Sequence, residues 1–214
     1  PHEHDNLRKN PGLFNKALEG IARLQTSGIL TGLSSYATKS ATACGEYRKI
    51  YLLARKIKAQ NVMLFDGVPT GNMLKDTSEM LLPDQRQEIR QLSSLLFTKG
   101  IIPPLSSQSW QNSIEGYLGG IGCLAANIQY YISAYGEITP CDFTPLSFGN
   151  IRQHSLYEIW MKMVSHPTYK HRSTCCRMQN SKFRRIYIDP IPDDVILPYS
   201  IENFPLLDYR NIKT

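Results

Sequence analysis

Four of the five cysteines in this 214-residue chain fall between positions 123 and 176, and their spacing is the first hint of chemistry. Cys123 and Cys141 stand at the two ends of a stretch, GCLAANIQYYISAYGEITPCDF, with a two-stranded pattern. Ile128, Tyr130 and Ile132 alternate with Gln129, Tyr131 and Ser133, residues 134–137 can turn the chain, and Ile138-Thr139-Pro140 starts back. A hairpin folds its ends together, so two thiols distant in sequence become neighbours. Cys175-Cys176 follows after a predicted helix and could bring a third or fourth thiol to the same place. Thiolates are soft ligands, suited to zinc or to iron–sulfur clusters. The paired Cys-x-x-Cys knuckles of structural zinc do not occur, and adjacent cysteines seldom both reach one metal, so three ligands are the firmer expectation. The alternative, buried free thiols, leaves their clustering unexplained.

The elements that must position these residues can be read by period. Leu13, Phe14, Ala17, Leu18, Ile21 and Leu24 recur at helical spacing, with Asn10 as the expected cap, Pro11 in the first turn and Ser27-Gly28 as the stop. His2 and His4, which precede them, read as part of a frayed terminus. A short strand over 29–36 leads to a second helix over 45–59, striped by Tyr47, Ile50, Tyr51, Ala54 and Ile57. The run NVMLF, over 61–65, reads as a parallel strand buried on both faces. A third helix over 84–98 presents Ile89, Leu92, Leu95 and Leu96, and Ile101-Ile102 reads as a further strand before Pro103-Pro104. Strands alternating with helices of this length make a parallel sheet, and about three such units are too few for a closed eight-stranded barrel. In such sheets ligands gather at the carboxyl ends of strands, which singles out Ser34, Ser35 and Tyr36 after one strand and Asp66 with the 67–71 loop after the next.

Glycine, serine and aromatic residues become frequent after Pro104, through Trp110, Gly116, Gly119, Gly120 and Gly122, placing a domain boundary near residue 105. Beyond Cys141, Ser155 and Glu158 form a capping box for a helix buried through Leu156, Ile159, Trp160 and Met163 and ending near His166-Pro167. That helix is expected to pack over the hairpin. Between Ile159 and Ile188 stand Lys162, Lys170, Arg172, Arg177, Lys182, Arg184 and Arg185 with no acidic residue, which reads as a solvated face ahead of an anion-binding one. The formal net charge of +6 fits the same reading, with nucleic acid not the expected partner. No run approaches the roughly 18 apolar residues of a membrane span, and no charged-then-apolar leader opens the chain, so no membrane partner is expected and the expected location is cytoplasmic.

From Cys123, twelve residues lead to Gly136 and four more to Cys141; with the ITPCDF strand, FGNI and the SLYEIW helix, this resembles the SPASM or shorter twitch domain of radical S-adenosylmethionine (SAM) enzymes. HDNLR before a helix, the GLSSYAT strand and the FDGVPTG strand end are similar to later units of the radical SAM partial barrel. The resemblance implies an α/β fold: the C-terminal part of a partial (β/α) TIM-like barrel over 1–104, then a small α+β SPASM/twitch-like domain with a β-hairpin over 105–214. It implies an auxiliary 4Fe-4S cluster on Cys123, Cys141 and Cys176, with Cys175 the candidate fourth ligand. The full SPASM pattern has seven cysteines, so a single cluster, as in twitch domains, is the most that this chain can hold. Ala126 stands where the motif usually has glycine.

On the barrel side, the resemblance places Ser34, Ser35 and Tyr36 near SAM, and Phe65, Asp66 and Val68 near its adenine. In the intact enzyme SAM would be cleaved to a 5′-deoxyadenosyl radical that abstracts hydrogen from a peptide or other substrate, while the auxiliary cluster binds substrate or accepts an electron. The Cys-x-x-x-Cys-x-x-Cys loop of the SAM-cleaving cluster does not occur in these 214 residues. The expectation is therefore a chain truncated at its N-terminus, ahead of a degenerate relative, and inactive alone. The rival is a non-catalytic, metal-stabilised binding module whose basic surface takes RNA or an acidic peptide.

Overall fold

The computed structural model describes residues 1–111 and 122–212; Gly116, Gly119 and Gly120, named above, lie outside the described residues. The first half is helix α1 (His2–Leu7), α2 (Leu13–Thr26), β1 (Gly32–Ala37), α3 (Lys39–Ala43), α4 (Glu46–Lys56), β2 (Asn61–Asp66), α5 (Pro83–Thr98), β3 (Leu105–Ser107) and α6 (Gln108–Gln111). The three strands form one parallel sheet in the order β1-β2-β3. The expected helices are therefore present, with shifted ends. Asn10 does not cap α2: Gly12 holds that position, and the Asp5 carboxylate accepts from the Gly12 and Phe14 amides at 2.7 Å each, so His2 and His4 sit in a helix that carries the cap.

Two strand expectations are corrected. Ile101-Ile102 is not a strand; the Ile101 amide closes α5 on the Leu96 carbonyl at 2.9 Å, and pairing begins only past two prolines that have no N–H to give. Strand β2 is not buried on both faces either. Val62, Leu64 and Asp66 are buried against the helices, whereas Asn61, Met63 and Phe65 remain partly or wholly exposed. In the helix-facing core these strand residues meet Tyr47, Tyr51 and Ala54 of α4 and Ile89 and Leu96 of α5, while Leu95 is left exposed. The other sheet face, carrying Ser34, Tyr36, Met63 and Phe65, is the less covered one. β3 pairs with β2, and Trp110 packs its ring 5.2 Å from that of Phe97, so contacts with the first half continue past residue 105.

The second half is built differently. Its strands are two residues long: β4 (Tyr131–Ile132) pairs antiparallel with β5 (Ile138–Thr139), and β6 (Leu146–Ser147) pairs parallel with β7 (Tyr199–Ser200). Helices α7 (Leu156–Ser165) and α8 (Ser181–Tyr187) pack on them. The capping box is present as expected, the Glu158 amide donating to Ser155 Oγ at 3.2 Å and the Ser155 amide to Glu158 Oε2 at 2.9 Å. The expected stripe holds at Ile159 and Met163, which are buried with Ile138 of the hairpin in a core that also takes Phe148, Phe183 and Tyr187.

The halves interlock behind β2. Leu74, in the chain between β2 and α5, is buried in the second core, and its carbonyl accepts from Arg184 Nη2 at 2.5 Å. Gln179 Nε2 donates to Asp66 Oδ2 at 3.2 Å, and Lys75 pairs with Asp193 at 2.6 Å.

Candidate metal centre

The hairpin forms, but later than the alternation predicts. Residues 126–128 turn the chain between the bridged Ala125 and Gln129, so Ile128 is not in the strand and is 62% exposed. That turn places Ala126 at φ +52° while burying it, and its amide donates to the Gln129 and Pro140 carbonyls at 3.0 and 3.1 Å. A residue there must take a left-handed backbone, which is the physical reason for the glycine of the motif. Across the hairpin, Gly136 takes φ +88° as the turn demands, and a Cβ on it would stand 2.7 Å from Asn150 Oδ1.

Cys123 and Cys141 are both buried and share an apolar group with Ala125, against which Phe143 packs. The cysteine pair from further along the chain is brought to them by backbone contact. The Cys123 amide donates to the Ser173 carbonyl at 2.7 Å, and Gly122, at φ +79°, lies so close that a Cβ on it would come within 2.3 Å of the same oxygen. Cys176 then enters the 3₁₀ turn Arg177–Gln179 and is half-buried.

The electrostatics show which thiols keep company. Burial pushes the Cys141 thiol up to about 11, partly offset by Thr144, whose Oγ1 lies 3.3 Å from Sγ, and the nearby Cys123 thiolate raises it further. Cys176 is held well above the ordinary thiol range, first by burial and then by Cys123 and Cys141. Cys123 thus opposes the ionisation of both Cys141 and Cys176, and Cys141 that of Cys176. Cys175 is exposed, its Sγ 3.9 Å from Ser173 Oγ, and its charge is felt at Tyr209. Cys44 is exposed in the first half.

A cationic iron centre would reverse the sign of this opposition, because coordinated thiols ionise where isolated buried ones do not. Further support for the fit comes from donors that have no partner. Arg177, 3% exposed, gives Nη2 to the Thr168 and His171 carbonyls, yet Nε and Nη1 are buried and unpaired. Its guanidinium lies 4.7 Å from the centre of the Tyr169 ring, whose own hydroxyl is buried and unpaired and feels the charges of Cys141 and Cys123. Anionic sulfur among the three thiols is what such donors would meet. Among the described residues, no three His, Cys, Asp or Glu side chains gather closely enough for a single metal ion. A cluster takes its ligands one per iron, so they need not converge on one point.

The strand-end residues divide between two faces. Tyr36 pairs with Phe65 in the β1–β2 register, their ring centres 6.0 Å apart, and Ser34 lies on the same face. Ser35 and Asp66 point to the opposite, helix-covered face, with Asp66 2% exposed. Tyr36 and Val68 line a cavity of about 360 Å³ with the 67–70 loop, and Phe143 of the cysteine half closes it. Phe143 therefore touches both the thiol group and this cavity. Periodicity does not single out Phe143, Tyr169, Arg177 or Gln179. Phe143 and Arg177 could have been found from their places beside Cys141 and Cys176, whereas Tyr169 depends on tertiary packing alone.

The basic stretch does not make a continuous face. Arg177 and Arg184 are buried, Lys162 pairs with Glu202 at 2.6 Å, and Lys182 Nζ donates to the Ile212 carbonyl at 3.2 Å. No helix among the described residues is long and apolar enough to cross a membrane.

Residues 123–186 match the family model of an iron–sulfur cluster-binding domain, SPASM. Three curated relatives are each named AdoMet-dependent heme synthase. That of Methanosarcina barkeri is 29% identical over 73% of this chain and 49% of its own length. Those of Oleidesulfovibrio alaskensis and Nitratidesulfovibrio vulgaris are 24% and 25% identical over 74% of this chain, and over 45% and 48% of their own lengths. The chain spans about half the length of the curated relatives it matches. No solved structure matches. The resemblance to radical SAM enzymes with a SPASM-type domain, drawn above from the cysteine spacing and the strand ends, is upheld by the domain match and by these relatives.

Proposed function

We propose, for a chain that carries a SPASM-type iron–sulfur domain and is similar to radical SAM enzymes, that it supplies the later units of a partial barrel and the auxiliary-cluster domain of a SAM-dependent oxidoreductase or maturase. One 4Fe-4S cluster, as in twitch domains, is held by Cys123, Cys141 and Cys176, and Cys175 is the candidate fourth ligand. The observation that carries this reading is that Cys123 stands near enough to Cys141 and Cys176 to oppose the ionisation of both, beside the unpaired donors of Arg177 and Tyr169. When bound, the cluster would supply an electron acceptor or a substrate-binding iron.

The residues of this chain have definable work around that site. Burial by Ala125 and Phe143 excludes water from the thiols, and Tyr169 with Arg177 offers hydrogen bonds to anionic sulfur, which raise the potential of such a centre. The cavity lined by Tyr36, Val68 and Phe143 suits an apolar or aromatic body, SAM adenine or substrate, facing the cysteine half. Without a Cys-x-x-x-Cys-x-x-Cys loop, these 214 residues alone do not cleave SAM. The relatives' activity extends the proposal to a tetrapyrrole substrate ahead of a peptide.

Anaerobic reconstitution with iron and sulfide tests this reading. About four irons and four sulfides per chain are expected, as the cluster type requires. A preparation that takes up zinc and no sulfide overturns it.

A further inference from the structure

A second cavity, of about 460 Å³, lies where the end of β2, helix α5 and the 174–181 segment meet. It is lined by Asp66, which faces the helix-covered side of the sheet, and not by Tyr36 or Phe65 of the opposite face. Asp66 is held at three points: its amide donates to Gln108 Oε1 at 2.9 Å, and Oδ2 accepts from Ser109 Oγ at 2.6 Å and from Gln179 Nε2 at 3.2 Å. The other oxygen, Oδ1, is buried and has no partner. Leaving a buried carboxylate oxygen unpaired costs about 1–3 kcal/mol or more, so a fold that fixes the rest of the group so tightly is holding this atom for something.

Across the same cavity stand two cations on successive turns of α5, Arg86 and Arg90. Burial raises the Asp66 carboxyl above its ordinary range, opposed by its hydrogen bonds from Ser109 and Gln179 and, least, by the charge of Arg86, which is itself braced by Nη1 on the Leu81 carbonyl at 2.6 Å. A plain anion would be drawn by the arginines and repelled by Asp66; a plain cation would meet the reverse. A ligand with an ammonium and a carboxylate on one carbon answers both walls. The volume suits one small molecule.

We propose that this cavity binds the head group of a free α-amino acid, its ammonium donating to Asp66 Oδ1 and its carboxylate accepting from the Arg86 guanidinium. Arg90 adds a second positive charge on the carboxylate side. The remaining lining, Gln87, Asn180 and Ser181 among it, favours a polar side chain on the ligand. Cys175 and Cys176 line the same cavity, so the site adjoins the proposed cluster, but its argument is carried by Asp66, Arg86 and Arg90.

Ligand-observed NMR on the full chain, reconstituted anaerobically, screens each of the twenty standard L-amino acids at about 10 mM, a level that detects millimolar affinity. At least one is expected to bind. Its N-acetyl and carboxamide derivatives, which lack the ammonium and the carboxylate in turn, are each expected to bind at least about tenfold more weakly, since a site built to pair a charge rejects the analogue that lacks it. Asp66→Asn and Arg86→Gln should each abolish the signal while far-ultraviolet circular dichroism is unchanged. Absence of binding by all twenty, or equal binding of the N-acetyl derivative, overturns the proposal; the derivative comparison needs no variant and so stands even where a substitution unfolds the chain. Iron content, measured on the same samples, reports separately on the cluster.

Discussion

In the first half of the chain most buried residues sit on regular elements, and one sheet face is left thinly covered. In the second half a buried core, joined by Leu74 from the first, is assembled mainly from turns, two-residue strands and short helices. The contrast follows from what each half must hold. Three parallel strands are specified by backbone pairing, so their edges and the Tyr36 face can remain open. The cysteine half gains little from pairing, and its shape is set by contacts such as Gly122 against Ser173 and Tyr187 Oη on the Leu207 carbonyl at 2.6 Å. A half organised in that way has a centre that many loops share, and the three thiols lie beside it. A metal cluster at that place would contribute folding energy as well as chemistry.

The comparison can be broken most sharply at the ligands. Cys141→Ser is expected to remove nearly all iron after reconstitution and to leave the second half poorly protected in hydrogen exchange, with β1–β2 protection retained; Cys44→Ser should match wild type in both. Loss of protection in both halves together would mean that the cluster does not belong to one of them.

Gly122→Ala comes next. Its φ of +79° and the 2.3 Å approach to the Ser173 carbonyl leave no room for a methyl group, so the segment bearing Cys123 must part from the segment bearing Cys176. A stability loss of about 3 kcal/mol is expected in denaturant titration, with iron content reduced but not abolished. Gly136→Val, which meets a side chain rather than backbone, should lower iron content less than Gly122→Ala and more than any change at Cys44.

Acid should separate the halves by a smaller amount. His166 is buried among Phe148, Tyr169 and Tyr187, and burial lowers it to about 4 from 6.5. Between those values the unfolded chain holds a proton that the folded ring refuses, so stability that is complete above pH 6.5 falls as pH drops toward 4. Metal-free protein followed by thermal unfolding should show that slope, and His166→Gln should flatten it. The smallest effect is at Ala126, whose φ of +52° strains an L-residue; Ala126→Gly should stabilise the chain by about 1 kcal/mol, seen as a higher melting temperature.

Much of the first half was legible because hydrophobic runs and helical periods mark the elements: the Tyr47, Tyr51, Ala54 stripe is buried and β2 forms where its apolar run lies, though only one of its faces is buried. Misreadings came where neighbouring chain competes for a backbone group, as when the Ile101 amide closes α5 instead of opening a strand. In the second half, the cysteine spacing and the Ser155 box were legible since each is a local pattern. The inward turn of Arg177 and Arg184 was not, because charge counting along a sequence cannot see that backbone carbonyls of 168, 171, 178 and 74 surround those two guanidiniums. Ser34, Ser35, Tyr36 and Asp66 were rightly sought at strand ends, yet alternation sends Ser35 and Asp66 to the face away from Tyr36.

The adjacent cysteines put the central claim to its most direct test. Cys176 shares the electrostatic neighbourhood of Cys123 and Cys141, whereas Cys175 is exposed and sensed by Tyr209. Iron and sulfide are to be counted per chain in reconstituted Cys175→Ser and Cys176→Ser side by side. A cluster held by Cys123, Cys141 and Cys176, with Cys175 at most a dispensable fourth ligand, predicts that Cys176→Ser loses most of both while Cys175→Ser retains them. The reverse order, or equal retention by the two variants, contradicts it.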